Sequence, residues 1–389
     1  MRFPEFCGEW EKALLNHYLE ENKERNKKGV FTKNDVLSVS GDYGVVNQIE
    51  LLGRSFAGKS VLDYHVVRHG NIVYTKSPLK EYPYGIVKVN DGVDGIVSTL
   101  YAVYMTKENV DGKFIENYFG LPSRTNRYFK PIVRIGAKHD MKIGNEEVLA
   151  NYVIFPQLDE QKRISEFISL LDQRIETQKK IIEKYESLIR GLITDVNKGK
   201  TCKCKAVALR DVLIEVHEKN VENYEVCSVS VSQGVINQID YLGRSFAAKE
   251  VLHYNVVNHG DIVYTKSPTG EFPYGIVKRS NLDRPVAVYP LYGVYRPLND
   301  YVGIYLHLYF KSPVNTKNYL HRLIQKGAKN TINISNQRFL DNKIFIPENG
   351  WLEIIVNAAS TIEKMIQIEY DALLWLERQK NYLLSKMFI

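Results

Sequence analysis

Cysteine is scarce: Cys7, Cys202, Cys204 and Cys227 are the only four in 389 residues. That excludes a disulfide framework and fits a reducing compartment. Cys202 and Cys204 lie in a lysine-rich stretch with no further Cys or His at zinc-site spacing, so the pair reads as a solvated linker and no metal site is expected. Long apolar runs are missing as well. Nothing approaches the roughly 20 residues that cross a bilayer, and the opening MRFPEFCGEWEK puts Glu and Trp where a secretory signal has its apolar stretch. A cytoplasmic protein without membrane contact is expected. Nor is there a catalytic signature: no GxxxxGK[ST], no GxGxxG after a strand, no HExxH, no GxSxG and no Asn-Pro-Pro-aromatic. The chain is therefore expected not to be an enzyme. Neither charge sign dominates, since 52 Lys+Arg against 45 Asp+Glu leave a net +7. That balance permits a polyanionic partner without requiring one.

What the chain does contain is a duplication. Gly44 to Lys88 reads GVVNQIELLGRSFAGKSVLDYHVVRHGNIVYTKSPLKEYPYGIVK, and Gly234 to Lys278 repeats it with 33 of 45 positions identical. A repeat period of this size excludes solenoids and propellers, whose units are about 20 to 50 residues. It indicates two whole domains, as the length also suggests. The copies diverge after Lys88 and Lys278, then converge on GAKHDMKIGNEEVLANYVIFP (136–156) and GAKNTINISNQRFLDNKIFIP (327–347) with one net inserted residue. A scaffold held constant around variable segments, Asn90 to Val133 and Leu282 to Leu323, suits a reading surface.

Each copy is β-rich in its first half. His69-Gly70 and His259-Gly260 read as turns, and Ile72-Val73-Tyr74 and Ile262-Val263-Tyr264 as buried strands leaving them. A long proline-free run comes after each copy. From Asp159, the residues Ile164, Ile168, Leu171, Ile175, Gln178, Ile182, Tyr185, Ile189 and Leu192 step by four and three. From Trp351 a weaker seam reads Ile355, Ala358, Ile362, Met365, Glu369, Ala372, Leu376, Gln379 and Leu383. Both predict heptad helices that pack on each other, with the polar seam positions setting register. The expected class is α+β, divided as 1–157 first domain, 158–198 first long helix, 199–350 second domain and 351–389 second long helix.

Recognition chemistry is easier to place than catalysis. His69 and His259 would suit acid–base work, but no carboxylate accompanies them in a recognisable motif. Tyr74, Thr75, Lys76 and Ser77, with Tyr264, Thr265, Lys266 and Ser267, set hydroxyls and an ammonium beside an aromatic at a turn, which suits phosphate and base-edge contacts. Arg54, Lys59, Arg244 and Lys249 flank Ser-Phe pairs in a loop that suits phosphate. Gly-Ala-Lys at 136–138 and 327–329 combines close backbone approach with a cation, Lys138 or Lys329; Asn330 adds an adenine-reading amide where the first copy has His139. For all of these, ordinary strand residues and solvated surface are the competing reading.

Domain, helix, domain, helix in this order resembles the specificity subunit of type I restriction-modification systems, over essentially the whole chain. Met1-Arg2-Phe3-Pro4-Glu5-Phe6 with Gly8-Glu9-Trp10-Glu11, the Leu37–Ser40 stretch, the Gly-Asp/Asn-Ile-Val-Tyr strand and Leu158-Asp159-Glu160-Gln161-Lys162-Arg163-Ile164 carry the resemblance. The chain departs from the family pattern at Ala13-Leu14-Leu15-Asn16 and at the start of the second helix, which lacks Glu-Gln-Lys-Arg. The resemblance implies two target recognition domains, each reading half of a split site in double-stranded DNA. It implies an antiparallel, pseudo-twofold coiled coil as spacer, and two methyltransferase subunits docked along it. Restriction/translocase subunits would join the complex. S-adenosylmethionine, ATP and Mg would then sit on partner subunits and not on this chain. The rival readings are a coiled-coil interaction scaffold that binds no DNA, and a nucleic-acid enzyme with an unrecognised active site.

Overall fold

Ile72, Val73 and Tyr74 are wholly buried, and so are Ile262, Val263 and Tyr264. Successive strand side chains point to opposite faces, so a strand without a polar position has to be covered on both. The computed structural model describes residues 1–388 apart from 59, 80, 136–140, 245–249, 327–331 and 349. In it Ile72–Tyr74 is an inner strand of a four-stranded antiparallel sheet ordered Leu19–Glu21, Ala102–Thr106, Ile72–Tyr74, Val87–Val89. Val73 packs with Leu37, Val45, Val67, Val97 and Val103 on one face. Ile72, Tyr74, Ala102 and Tyr104 join Phe114, Phe129 and Phe155 on the other.

The second copy repeats the sheet as Leu213–Glu215, Gly293–Pro297, Ile262–Tyr264 and Val277–Arg279. Aromatic stacking anchors both: the Tyr74 ring lies 4.4 Å from Phe129, and Tyr264 lies 5.0 Å from Phe339. Short two-stranded pairs surround each sheet, among them Glu11–Leu14 with Tyr152–Phe155 and Cys204–Ala208 with Lys343–Pro347. The divergent segments supply Ile96, Val97, Val103, Phe114 and Phe129 to the first core, so they are as much interior as surface. Among the described residues no helix is long and apolar enough to cross a membrane.

The long helices run Leu158–Asn197 and Trp351–Met387. Compact units divide inside them: one unit is Met1–Lys179 with Asp371–Ile389, the other Lys180–Tyr370. In the first unit Lys380 Nζ donates to Asp172, and Lys179 Nζ lies 3.8 Å from Glu377. One helix ascends as the other descends, which makes the pair antiparallel. Leu383, Leu384, Met387 and Phe388 there close over Ile164 and Ile168. In the second unit the Tyr370 hydroxyl donates to Glu186 at 3.4 Å.

On the first helix Ile164, Ile168, Ile175, Ile182 and Ile189 are buried, while Leu171, Gln178, Tyr185 and Leu192 are half-buried. On the second helix the expected seam needs correction at every other position. Ile355, Leu376 and Leu383 are buried, but so are Ala359, Ile366 and Leu373. Ala358 and Met365 are exposed, and Ala372 and Gln379 are half-buried. From Ile355 the true steps run four then three, where three then four was expected. Both frames keep the heptad period, and the larger aliphatics Ile366 and Leu373 give more buried area than Met365 and Ala372. Ile366→Ala or Leu373→Ala is expected to cost about 2–4 kcal/mol, and Met365→Ala, 43% exposed, less than about 0.5 kcal/mol. Urea denaturation of the three variants checks the register.

Two histidines sit in the cores uncharged. Burial, then the charges of Arg25 and Lys76, push His65 down to about 4. Burial, then Lys278, Lys311 and Arg279, push His307 down to about 3. An unfolded chain takes up these protons near pH 6.5, so below that pH the unfolded state binds more protons and stability falls with falling pH. The loss continues until the folded values are reached, about 2 kcal/mol per histidine between pH 6.5 and 5. His65→Asn, which imports the second copy's Asn255, is expected to flatten this dependence by about half when denaturation midpoints are compared at pH 7 and 5.

Candidate nucleic-acid interface

Identity between the two copies is easily explained in the core, where packing demands it, and less easily on the surface. Asn47 and Asn237 begin the short helices Gln48–Leu52 and Gln238–Leu242. Asn47 Oδ1 accepts from Ile49 N at 2.9 Å, and Asn237 Oδ1 from Ile239 N at 2.7 Å, the usual N-cap arrangement. Gly53 and Gly243 end them with φ of +74 and +72, a left-handed conformation that glycine adopts without strain. Gln48 then ties the next loop down, donating to Ser38 Oγ (3.0 Å) and accepting from Phe56 N (2.6 Å).

The loop so held leaves Leu52 and Phe56 more than half exposed, with the Arg54 guanidinium 4.5 Å over the Phe56 ring. Leu242, Tyr241 and Arg244 are exposed at the corresponding place. Leu-Gly-Arg-Ser-Phe-Ala recurs at 52–57 and 242–247. Leu52 and Arg54 recur as the exposed Leu242 and Arg244, and a repeated exposed guanidinium, beside an exposed aromatic in the first copy, suits a polyanionic ligand. Lys59 and Lys249 lie outside the described residues, as do Lys138, Lys329 and Asn330.

Four expected contacts are corrected. Tyr74, Thr75, Tyr264 and Thr265 are buried, so their side chains reach no ligand in solvent. Tyr74 OH donates to Tyr84 O and Tyr264 OH to Tyr274 O. Thr75 Oγ1 accepts from Ile86 N at 3.1 Å, and Thr265 Oγ1 from Ile276 N at 3.2 Å. The aromatics serve the core because the sheet is covered on both faces. Ser77 and Ser267 hydrogen-bond back to the Thr75 and Thr265 carbonyls and belong to the turn. Lys76 and Lys266 are half-buried at its corner. Burial lowers the pKa of both ammonium groups, against a smaller opposing effect of Glu21 on Lys76 and of Glu215 on Lys266.

His69 and His259 are exposed, each Nδ1 within 3.2 Å of a backbone carbonyl, Gly92 O or Leu282 O. They secure turns. Cys202 Sγ and Cys204 Sγ are 3.9 Å apart, and Cys204 Sγ lies 3.4 Å from Val196 O, where the first long helix ends.

Sequence reading missed the anchoring of the first long helix. Glu160 and Gln161 are almost fully buried. Arg2 grips Glu160 bidentately at 2.7 and 2.6 Å, and Trp10 Nε1 adds a bond at 3.3 Å. Gln161 Oε1 accepts from Asp111 N at 3.0 Å and its Nε2 donates to Pro156 O at 2.8 Å. In Glu-Gln-Lys-Arg, therefore, the first two residues hold the module and the last two face solvent. Equally missed were Asn145 with Glu21, and Asn336 with Glu215, hydrogen-bonded at 2.6 Å in both copies. The recurrence of Ile-x-Asn at 143–145 and 334–336 was the available signal.

No protein-family model matches the chain, and no curated protein matches it. Solved structures do. The chain is similar to the type I restriction-modification system S subunit from M. genitalium, with a TM-score of 0.57 and 11% identity over 98% of this chain and 96% of that one. It is similar to a chain from work on complex assembly and conformational transition of the type I R-M system, with a TM-score of 0.54 and 15% identity over 98% of this chain and 97% of that one. The HsdS subunit from Thermoanaerobacter tengcongensis aligns over 97% of this chain and 96% of its own at 15% identity, with a TM-score of 0.43. Duplicated β-rich modules, each joined to long antiparallel helices, define a class of two-module α+β proteins. Within it, the chain has the fold of type I restriction-modification S subunits.

Tyr74→Phe removes one buried hydrogen bond and is expected to cost about 1 kcal/mol of stability, whereas Phe56→Ala, at a side chain 57% exposed, is expected to cost less than about 0.5 kcal/mol. Urea denaturation of the two variants checks which aromatic belongs to the core.

Proposed function

We propose that this chain is the DNA-specificity subunit of a type I restriction-modification complex, each module reading one half of a bipartite site in duplex DNA. The observation that carries the reading is the loop sequence Leu52–Ala57, repeated residue for residue at 242–247, with Leu52, Arg54 and Phe56 exposed in the first module and Leu242 and Arg244 in the second. Two modules presenting the same exposed leucine and arginine are suited to meeting the same kind of ligand twice. The fold likeness to S subunits supports it. The two long helices act as the spacer and dock two methyltransferase subunits, and restriction/translocase subunits complete the assembly. Tethering two weak readers makes the second contact intramolecular, raising avidity without new chemistry. Catalysis and its cofactors, S-adenosylmethionine, ATP and Mg, belong to the partners.

Because the modules share most of their first halves, the two half-sites are expected to be related or near-inverted in sequence. Purification of the tagged full-length chain from its host, with mass spectrometry of what accompanies it and sequencing of methylated adenines, tests the reading. Methyltransferase subunits and a split motif are the expected result. A complex that does not distinguish a duplex carrying that motif from a scrambled one overturns it. Arg54→Ala and Arg244→Ala are each expected to weaken binding and to reduce the slope of log affinity against log salt by about one phosphate equivalent.

A further inference from the structure

The lysine of the repeated Tyr-Thr-Lys-Ser turn has a backbone conformation that L-residues avoid. Lys76 has φ +48 and Lys266 φ +60, in the left-handed region where a Cβ crowds the backbone. Strain present at the same place in both modules is a sign of use. Its surroundings enforce it. The preceding threonine is pinned by the Ile86 or Ile276 amide. Gly85 and Gly275 press so close that a Cβ on them would stand 3.2 Å from Lys76 N and 2.8 Å from Lys266 N.

What the lysine meets differs between the modules. In the first unit Lys76 Nζ donates to Ile143 O at 3.2 Å and to Asn145 Oδ1, and Asn145 Nδ2 donates to Glu21 Oε1 at 2.6 Å. In the second unit Asn336 Nδ2 donates to Glu215 Oε1 at the same 2.6 Å, so the asparagine is held alike. Yet Asn336 Oδ1 is buried without a partner, and Lys266 makes no hydrogen bond among the described residues. A buried acceptor without a donor is unfavourable. Its natural donor is the ammonium that fills the equivalent place in the first unit. One lysine is docked and the other undocked on the same frame.

We propose that this lysine is a specificity-determining residue with two seats, docked on its asparagine or turned outward to an acceptor on the DNA. The inference rests on the function proposed above. A lysine ammonium suits a phosphate oxygen or guanine O6 and N7. Lys266 reaches such an acceptor without breaking a contact, whereas Lys76 first leaves Asn145. The second module therefore engages its half-site more readily than the first.

Reductive methylation of the full-length chain in its complex with methyltransferase subunits, read by peptide mass spectrometry, tests this on the unmutated protein first. Lys266 is expected to be labelled several-fold faster than Lys76 in the absence of DNA, and both to be protected by a cognate duplex but not by a scrambled one. Asn145→Ala is expected to bring Lys76 up to the rate of Lys266. Equal rates in the unaltered complex overturn the inference. So does a cognate duplex that binds specifically yet protects neither lysine, an outcome that leaves the proposed function standing. Failure to discriminate cognate from scrambled DNA removes the proposed function itself. Lys266→Met then identifies the acceptor: a uniform loss of affinity with a shallower salt slope means phosphate, and relaxed discrimination at one base pair means a base edge. Unchanged affinity and discrimination overturn the inference.

Discussion

Burial of a short strand from both sides organises each module. Ile72-Val73-Tyr74 and Ile262-Val263-Tyr264 contain no polar position, so each must be sandwiched, and the two coverings differ in kind. One is a small valine-rich cluster. The other, in the first unit, is an aromatic and aliphatic core that includes the ends of both long helices. Because helix residues complete that core, module and rod are one cooperative body in the first unit. Arg124 reinforces this by donating to the carbonyls of Leu384 and Phe388 near the end of the second helix.

The duplicated frame tolerates different internal electrostatics. In the first unit Glu116 accepts from Val89 N and is flanked by Lys88 and Lys113. Its counterpart is His307, whose Nδ1 accepts from Arg279 N at 3.2 Å. Burial, then Lys311, pushes the adjacent Lys278 down to about 8, with Glu363 opposing. Elsewhere the exchange runs the other way. His65 in the first copy corresponds to Asn255, which satisfies two carbonyls and accepts from Lys219 Nζ at 2.6 Å. A backbone amide needs an acceptor in both copies, and a carboxylate or a neutral imidazole serves. Either choice changes the charge nearby and leaves the fold as it is.

Much of this was legible in the chain. The duplication announced two modules, the buried strand was implied by three apolar residues in succession, and the heptad period announced the rods. Fine placement was less legible. Tyr74 and Thr75 looked like ligand contacts because tyrosine and threonine carry hydroxyls, but both hydroxyls are used on neighbouring backbone within the module. The second seam was read one residue off at alternate positions, since Ala358 and Met365 stand beside Ala359 and Ile366. Glu160 entered the sequence reading only as part of the helix-entry motif, and its burial beneath Arg2 and Trp10 was not legible there.

Periodicity and repetition are properties of the chain alone, so sequence by itself determined that there are two like modules, two long amphipathic helices and a repeated Leu-Gly-Arg-Ser-Phe-Ala stretch. Which of two adjacent residues faces inward, and whether a polar side chain bonds a neighbour or solvent, depends on contacts between residues far apart in the chain. Asn145 meeting Glu21 and Lys76 is such a case. Only the tertiary structure decided that one copy of the left-handed lysine is docked and the other is not, because the difference lies in packing around nearly identical sequence.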